Sequence, residues 1–216
     1  MTKTLNILAL IGSPRNEDSY TYKVIRQIEA QMNDLHPTTV EYVFLCKVLV
    51  PYCDGCLSCM YKRNRPSFFG KKAIVTCTAS GGGHKGVLDF LEGTASAWGC
   101  DVVTRLGISS AQMHKERYLG LVEECTADVA RKFVTGISAG GLQRVTFRQL
   151  VNFRAMQNMT RARKGTRNHA YWAERNWLDA NYYNDAPVNP FARIMASYVA
   201  RQMRTAIRKG NITPFR

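Results

Sequence analysis

Apolar positions along the chain alternate between two periods. Residues 6–12 (NILALIG) form a continuous apolar run ending in Gly12-Ser13-Pro14, the pattern of a parallel strand buried on both faces. Val24, Ile25, Ile28 and Met32 then fall on one side of a helix that Asp18 or Ser19 can cap and that Asn33-Asp34 with Pro37 ends. Residues 39–45 (TVEYVFL) are β-branched and aromatic, which predicts a second strand. Residues 72–79 (KAIVTCTA) predict another buried strand, followed by Gly81-Gly82-Gly83 and a helix turning Val87, Leu88, Leu91, Ala95 and Trp98 inward. A strand over 101–108 and a helix over 115–134, with Leu119, Val122, Val129 and Phe133 inward, complete the alternation.

Strands alternating with helices predict an α/β fold: a doubly wound parallel sheet with helices on both faces and right-handed crossovers, occupying 1–140. Past Gly140-Gly141 the chain turns basic, aromatic and helical, without strand signals. Helices are predicted at 146–161, 168–180 and 190–209, so residues 141–216 read as an α-helical C-terminal extension.

Composition adds little until its distribution is considered. The formal charge is +14, and residues 141–216 hold fourteen Lys or Arg against three acidic residues, so eleven of the fourteen net charges lie in the extension. The first two thirds are nearly balanced, as an enzyme core would be. No segment approaches the apolar length of a membrane span, and the first apolar run meets Gly-Ser-Pro rather than a small-residue cleavage site, so a cytoplasmic protein is expected. The seven cysteines are odd in number, which argues against a disulfide framework, but Cys53, Cys56 and Cys59 form a dense C-x-x-C-x-x-C triplet.

In a doubly wound sheet, ligands bind beyond the carboxyl ends of the strands, which directs attention to the loop leaving the first strand. It offers hydroxyls at Ser13, Ser19 and Thr21, the guanidinium of Arg15, and backbone amides opening a helix. Those are the parts of a phosphate cradle; a turn and a helix cap without a ligand is the other reading. Gly81 to Gly83 would let a planar ring approach the backbone, or would simply connect a strand to a helix.

The strand ending in GSPR, the hydroxyl-rich helix start, the cysteine triplet after the second strand and the T-x-x-G-G-G run after a later strand, in that order, resemble the flavodoxin-like NAD(P)H-dependent FMN reductases and iron-sulfur flavoproteins. The resemblance covers residues 1–134, and NWLDANYYNDAPVNPFARIMA is similar to a C-terminal extension of some members. It implies a flavodoxin-like fold with Ser13, Arg15, Ser19, Tyr20 and Thr21 around the phosphate of FMN, and Thr78, Ala79, Ser80, Gly81 and Gly82 along its isoalloxazine. The activity implied is that of an FMN-dependent oxidoreductase, accepting hydride from NAD(P)H and passing electrons to a quinone, nitro compound, metal or protein. No general acid or base is nominated. His84, beside the glycines, is the nearby titratable group to test.

Members of that family carry another βα unit where this chain runs directly from Tyr61 to Lys72. The unit absent at the join near 63–67, about 30 residues or more, carries a central strand and a loop against the flavin; a true deletion and an omitted segment are both open, the second being the favoured reading. The cysteine triplet could give three thiolates to an iron-sulfur cluster, with no fourth Cys at short spacing, or zinc with His84; free thiols are the favoured reading, and no metal ligand is assigned. In the extension, Phe191, Ile194, Met195, Tyr198, Val199, Met203 and Ile207 form an apolar helical stripe. Docking of that stripe on the core or a second subunit, giving a homodimer or larger, is expected ahead of contact with an anionic membrane surface, and nucleic-acid binding is not expected. The alternative to an enzyme is a non-catalytic flavodoxin-like module whose basic tail binds an anionic surface.

Overall fold

The structure is a computed structural model that describes residues 4–48, 68–142 and 144–209. The expected join near 63–67 and Cys53, Cys56 and Cys59 lie outside the described residues. The chain divides into two compact units, residues 1–54 with 70–140 and residues 55–69 with 141–216.

The first unit is α/β. In chain order it contains β1 (Leu5–Ile11), α1 (Tyr20–Leu35), β2 (Thr38–Phe44), β3 (Lys72–Ala79), α2 (His84–Ala97), β4 (Asp101–Ser109) and α3 (Glu116–Ser138). β1 pairs in parallel with β2, Leu5 opposite Thr38 through Ile11 opposite Phe44. β3 pairs in parallel with β4, from Lys72 opposite Asp101 to Ala79 opposite Ser109, with an irregularity between Ala73 and Ile74. The Lys72–Asp101 ion pair, 3.1 Å long and largely buried, joins the first residues of β3 and β4.

One hydrophobic core serves both strand pairs. Val24, Ile28 and Met32 of α1 and Val122, Val129, Ala130 and Phe133 of α3 pack with Leu106 and Ile108, and with Ile7 of β1 and Ile74 of β3 at its margin. On the other face of β3 and β4, Val75 and Cys77 meet Leu88 of α2. β3 and β4 are therefore covered on both faces. β1 is covered on one face only, because side chains alternate along a strand and Leu8 and Leu10, opposite to Ile7, are 56% and 45% exposed.

This departs from the single sheet expected. The described strands form two sheets of two strands each, and β1 and β3 make no ladder with one another. Physically, α1 and α3 hold both pairs through Ile7 and Ile74, while no described strand supplies the hydrogen bonds that would join them. Three residues expected to face inward are also exposed: Val87, Trp98 and Leu119. The periodicity marks the correct helix, but the buried arc of α2 narrows to the Leu88 side.

The second unit is helical: α4 (Phe147–Arg161), α5 (Arg167–Glu174) and α6 (Pro190–Arg208). Thr146 and Gln149 form a reciprocal capping box at the start of α4. Phe153 is fully buried among Trp172, Tyr182 and Tyr183, with Trp177 completing the aromatic core. Gln157, 2% exposed, donates from Nε2 to the carbonyls of Trp177 and Ala180 at 2.8 and 3.0 Å and accepts from Arg154 at 2.9 Å. A buried amide is tolerated there because its donor and acceptor atoms are satisfied. The helix expected to reach residue 180 stops at Glu174, since Asn176 has φ +57°, outside the helical region.

Candidate functional site

The carboxyl ends of the parallel strands carry most of the predicted site residues. Ile11 ends β1, and Gly12 to Ser19 lead into α1. Pro14 and Arg15 open a short turn in which the amides of Asn16 and Asp18 donate to the carbonyls of Ser13 and Arg15. Asn16 takes φ +51°, a conformation that asparagine tolerates because its short amide can bond locally.

Ser19 is the cap of α1. Its Oγ accepts from the amide of Tyr22 at 3.1 Å and donates to the carbonyl of Asn16 at 2.7 Å, and the residue is only 3% exposed. Capping by Ser19 occupies one of the free amides at the helix start, leaving those of Tyr20 and Thr21 without an intrahelical acceptor. The Ser13 Oγ accepts from the amide of Arg15 at 3.4 Å, while the Arg15 side chain is exposed and has no hydrogen bond or ion pair among the described residues.

A second segment meets this one. Thr78, the penultimate residue of β3, shares a 2.7 Å hydroxyl–hydroxyl hydrogen bond with Thr21. Ala79, Ser80, Gly81 and Gly82 continue from Thr78, the last three exposed, and Gly83 caps α2 with φ +95°. Backbone conformation thus demands glycine at 83 alone, because a side chain there would be strained. Gly81 and Gly82 lack positive φ, and a Cβ on either would meet no heavy atom within 4 Å, as would one on Gly12. Packing within the protein therefore does not require glycine at 81 or 82, and the backbone there is open.

His84 is held by the fold. Its Nε2 donates to the carbonyl of Ile108 at 2.9 Å, and Gly107 makes room for it, since a Cβ there would lie 3.0 Å from the His84 Cβ. One ring nitrogen is therefore committed to β4, which makes His84 a fastening for the start of α2. Burial pushes the Cys77 thiol up, so it is a packed side chain of β3 and not a ready nucleophile.

Sequence motifs gave no signal for Cys46 or Asn16. Cys46 lies just past the end of β2, with its Sγ 2.7 Å from Asn16 Oδ1 and 3.9 Å from the Ser13 carbonyl. It thereby braces the loop after β1 from the neighbouring strand. Only the parallel pairing of β1 and β2, which brings their carboxyl ends together, puts the two residues in contact. All ten predicted cofactor residues thus lie at one rim of the unit, and the Thr21–Thr78 bond joins their two groups.

Comparison with known proteins adds no family: no protein-family model matches the chain, and no curated protein matches it.

Proposed function

We propose that the chain is an FMN-dependent oxidoreductase that accepts hydride from NAD(P)H and passes the electrons to a quinone, nitro compound, metal or protein acceptor. The observation that carries this reading is the Thr21–Thr78 hydrogen bond, which unites a hydroxyl-rich loop at a helix start with a glycine-rich loop beside it. The donor set suits a phosphate monoester. Ser13 and Arg15 offer a hydroxyl and an unpaired guanidinium, and the amides of Tyr20 and Thr21 add donors at the positive end of α1. Ser19 contributes chiefly by shaping the loop, because its hydroxyl is engaged within it.

Along the second loop, the open backbone of Gly81 and Gly82 suits the face or edge of an isoalloxazine, with Thr78, Ala79 and Ser80 beside it. FMN, when bound, supplies the two-electron chemistry; the chain's residues bind and orient it. This reading implies a flavodoxin-like doubly wound sheet. It places the protein in the cytoplasm, where nicotinamide reductants are at hand.

Replacing Ser13 with Glu tests the assignment. A carboxylate beside the phosphate removes a donor and adds repulsion, so the variant should be purified without flavin while keeping the native circular dichroism. Full loading of Ser13→Glu with FMN would put the site elsewhere.

A further inference from the structure

α6 is docked by its small residues and presents its large ones. Ala196 and Ala200 are buried at 0% and 6% exposure, one helical turn apart, whereas Phe191, Ile194, Met195, Tyr198 and Val199 are 71%, 66%, 40%, 59% and 37% exposed. The cause lies in α4. Its buried Asn158 donates from Nδ2 to the carbonyl of Ala200 at 2.8 Å, a bond that needs the two helix backbones close together. Alanines permit that approach and the larger side chains do not, so the arc of Phe191, Ile194, Met195 and Tyr198 is turned outward.

At 3.6 residues per turn, Arg193, Arg201, Arg204 and Arg208 fall along one border of this outward arc, between it and the alanine face. No acidic residue occurs anywhere in α6. Arg154 of α4 adds to the same field: Arg161, Arg204 and Arg193 are near enough to lower its pKa, after the larger lowering by burial. A row of arginines beside exposed aromatic and aliphatic side chains matches a surface that is apolar within and anionic at its boundary. No helix among the described residues is long and apolar enough to cross a membrane, so α6 suits lying on a bilayer, not spanning it.

We infer that α6 is a docking face for anionic phospholipid membranes, with Phe191, Ile194 and Tyr198 entering the acyl boundary and the arginines meeting the headgroups. A second copy packed α6 against α6 is the poorer occupant, because both helices hold arginines and no acidic residue.

The test is co-sedimentation of the full chain with vesicles of pure phosphatidylcholine and with vesicles containing phosphatidylserine. Binding is expected to the second alone and to weaken with salt. Replacing Arg201, Arg204 and Arg208 with Gln should lower partitioning by about a hundredfold, since each cation near such a surface multiplies binding several-fold. Replacing Phe191, Ile194 and Tyr198 with Gln should reduce it to the phosphatidylcholine background, with tryptophan fluorescence confirming that the helical unit remains folded. Failure to bind phosphatidylserine vesicles, or binding that survives loss of the apolar arc, would overturn the inference. So would sedimentation as a dimer that the apolar-arc variant converts to monomer, an outcome that assigns the face to a second copy.

Discussion

The Thr21–Thr78 hydrogen bond can be measured directly, because both residues can be replaced by Val with almost no change in shape. Both side chains are partly buried, and the 2.7 Å bond ties the end of β3 to the first turn of α1. A neutral hydroxyl pair of this kind contributes about 0.5–1.5 kcal/mol net. Each single variant should lose about that amount, less whatever water returns to the abandoned partner. Once one hydroxyl is gone, the second substitution removes no further bond, so the double variant should be more stable than the sum of the singles implies by about 0.5–1.5 kcal/mol. Urea unfolding followed by far-ultraviolet circular dichroism on the four proteins gives the coupling. If the losses add to within about 0.3 kcal/mol, the two loops are not energetically joined and the reasoning from their contact fails. The same variants should bind FMN more weakly, because the spacing of the two loops would no longer be fixed.

Three further outcomes follow from the packing and charge. Phe153→Ala removes the centre of the aromatic core and should cost about 3–5 kcal/mol, seen as a lower urea midpoint in the fluorescence of Trp172 and Trp177. Gly83→Ala should destabilise the turn into α2 by about 1–2 kcal/mol, since φ +95° is strained for any residue with a Cβ; thermal unfolding unchanged from the parent would contradict this. Hydrogen bonds from Lys85 and then Arg105 hold the Asp89 carboxyl below its ordinary range. A depressed carboxylate contributes stability above its unfolded pKa and loses it as pH falls through the folded value, so parent and Asp89→Asn should differ at neutral pH and begin to converge only as pH falls below about 4. A difference that grows on acidification would reverse the assignment.

Sequence periodicity located most elements because local pattern and final burial agree there. Residues 72–79 are a strand with those same ends, and α4 starts at Phe147, one residue inside the expected start, with Thr146 as its cap. The two candidate loops were each legible from strand-to-helix junctions, and the Thr21–Thr78 hydrogen bond shows that they meet, although β1 and β3 belong to separate sheets. The early stop of α5 was hidden because it depends on one backbone angle at Asn176, with Arg175 stacked 3.7 Å from the Tyr171 ring centroid beside it. The orientation of α6 was hidden for a different reason. Its sequence contains two arcs that can bury, one of alanines and one of large apolar residues, and the choice is made by Asn158 reaching Ala200 from another helix. The Cys46–Asn16 contact likewise arises from strand pairing and not from any spacing in the chain.

Exposed Leu8 and Leu10 on β1, together with the unjoined ladders, make cofactor binding the sharpest question about the first unit. Titration of the purified chain with FMN, followed by flavin fluorescence, answers it. Saturable binding at one FMN per chain, lost in Ser13→Glu and weakened in the Thr21→Val, Thr78→Val double variant, is the result predicted. A folded chain that leaves flavin fluorescence unchanged throughout the titration would contradict the proposed function.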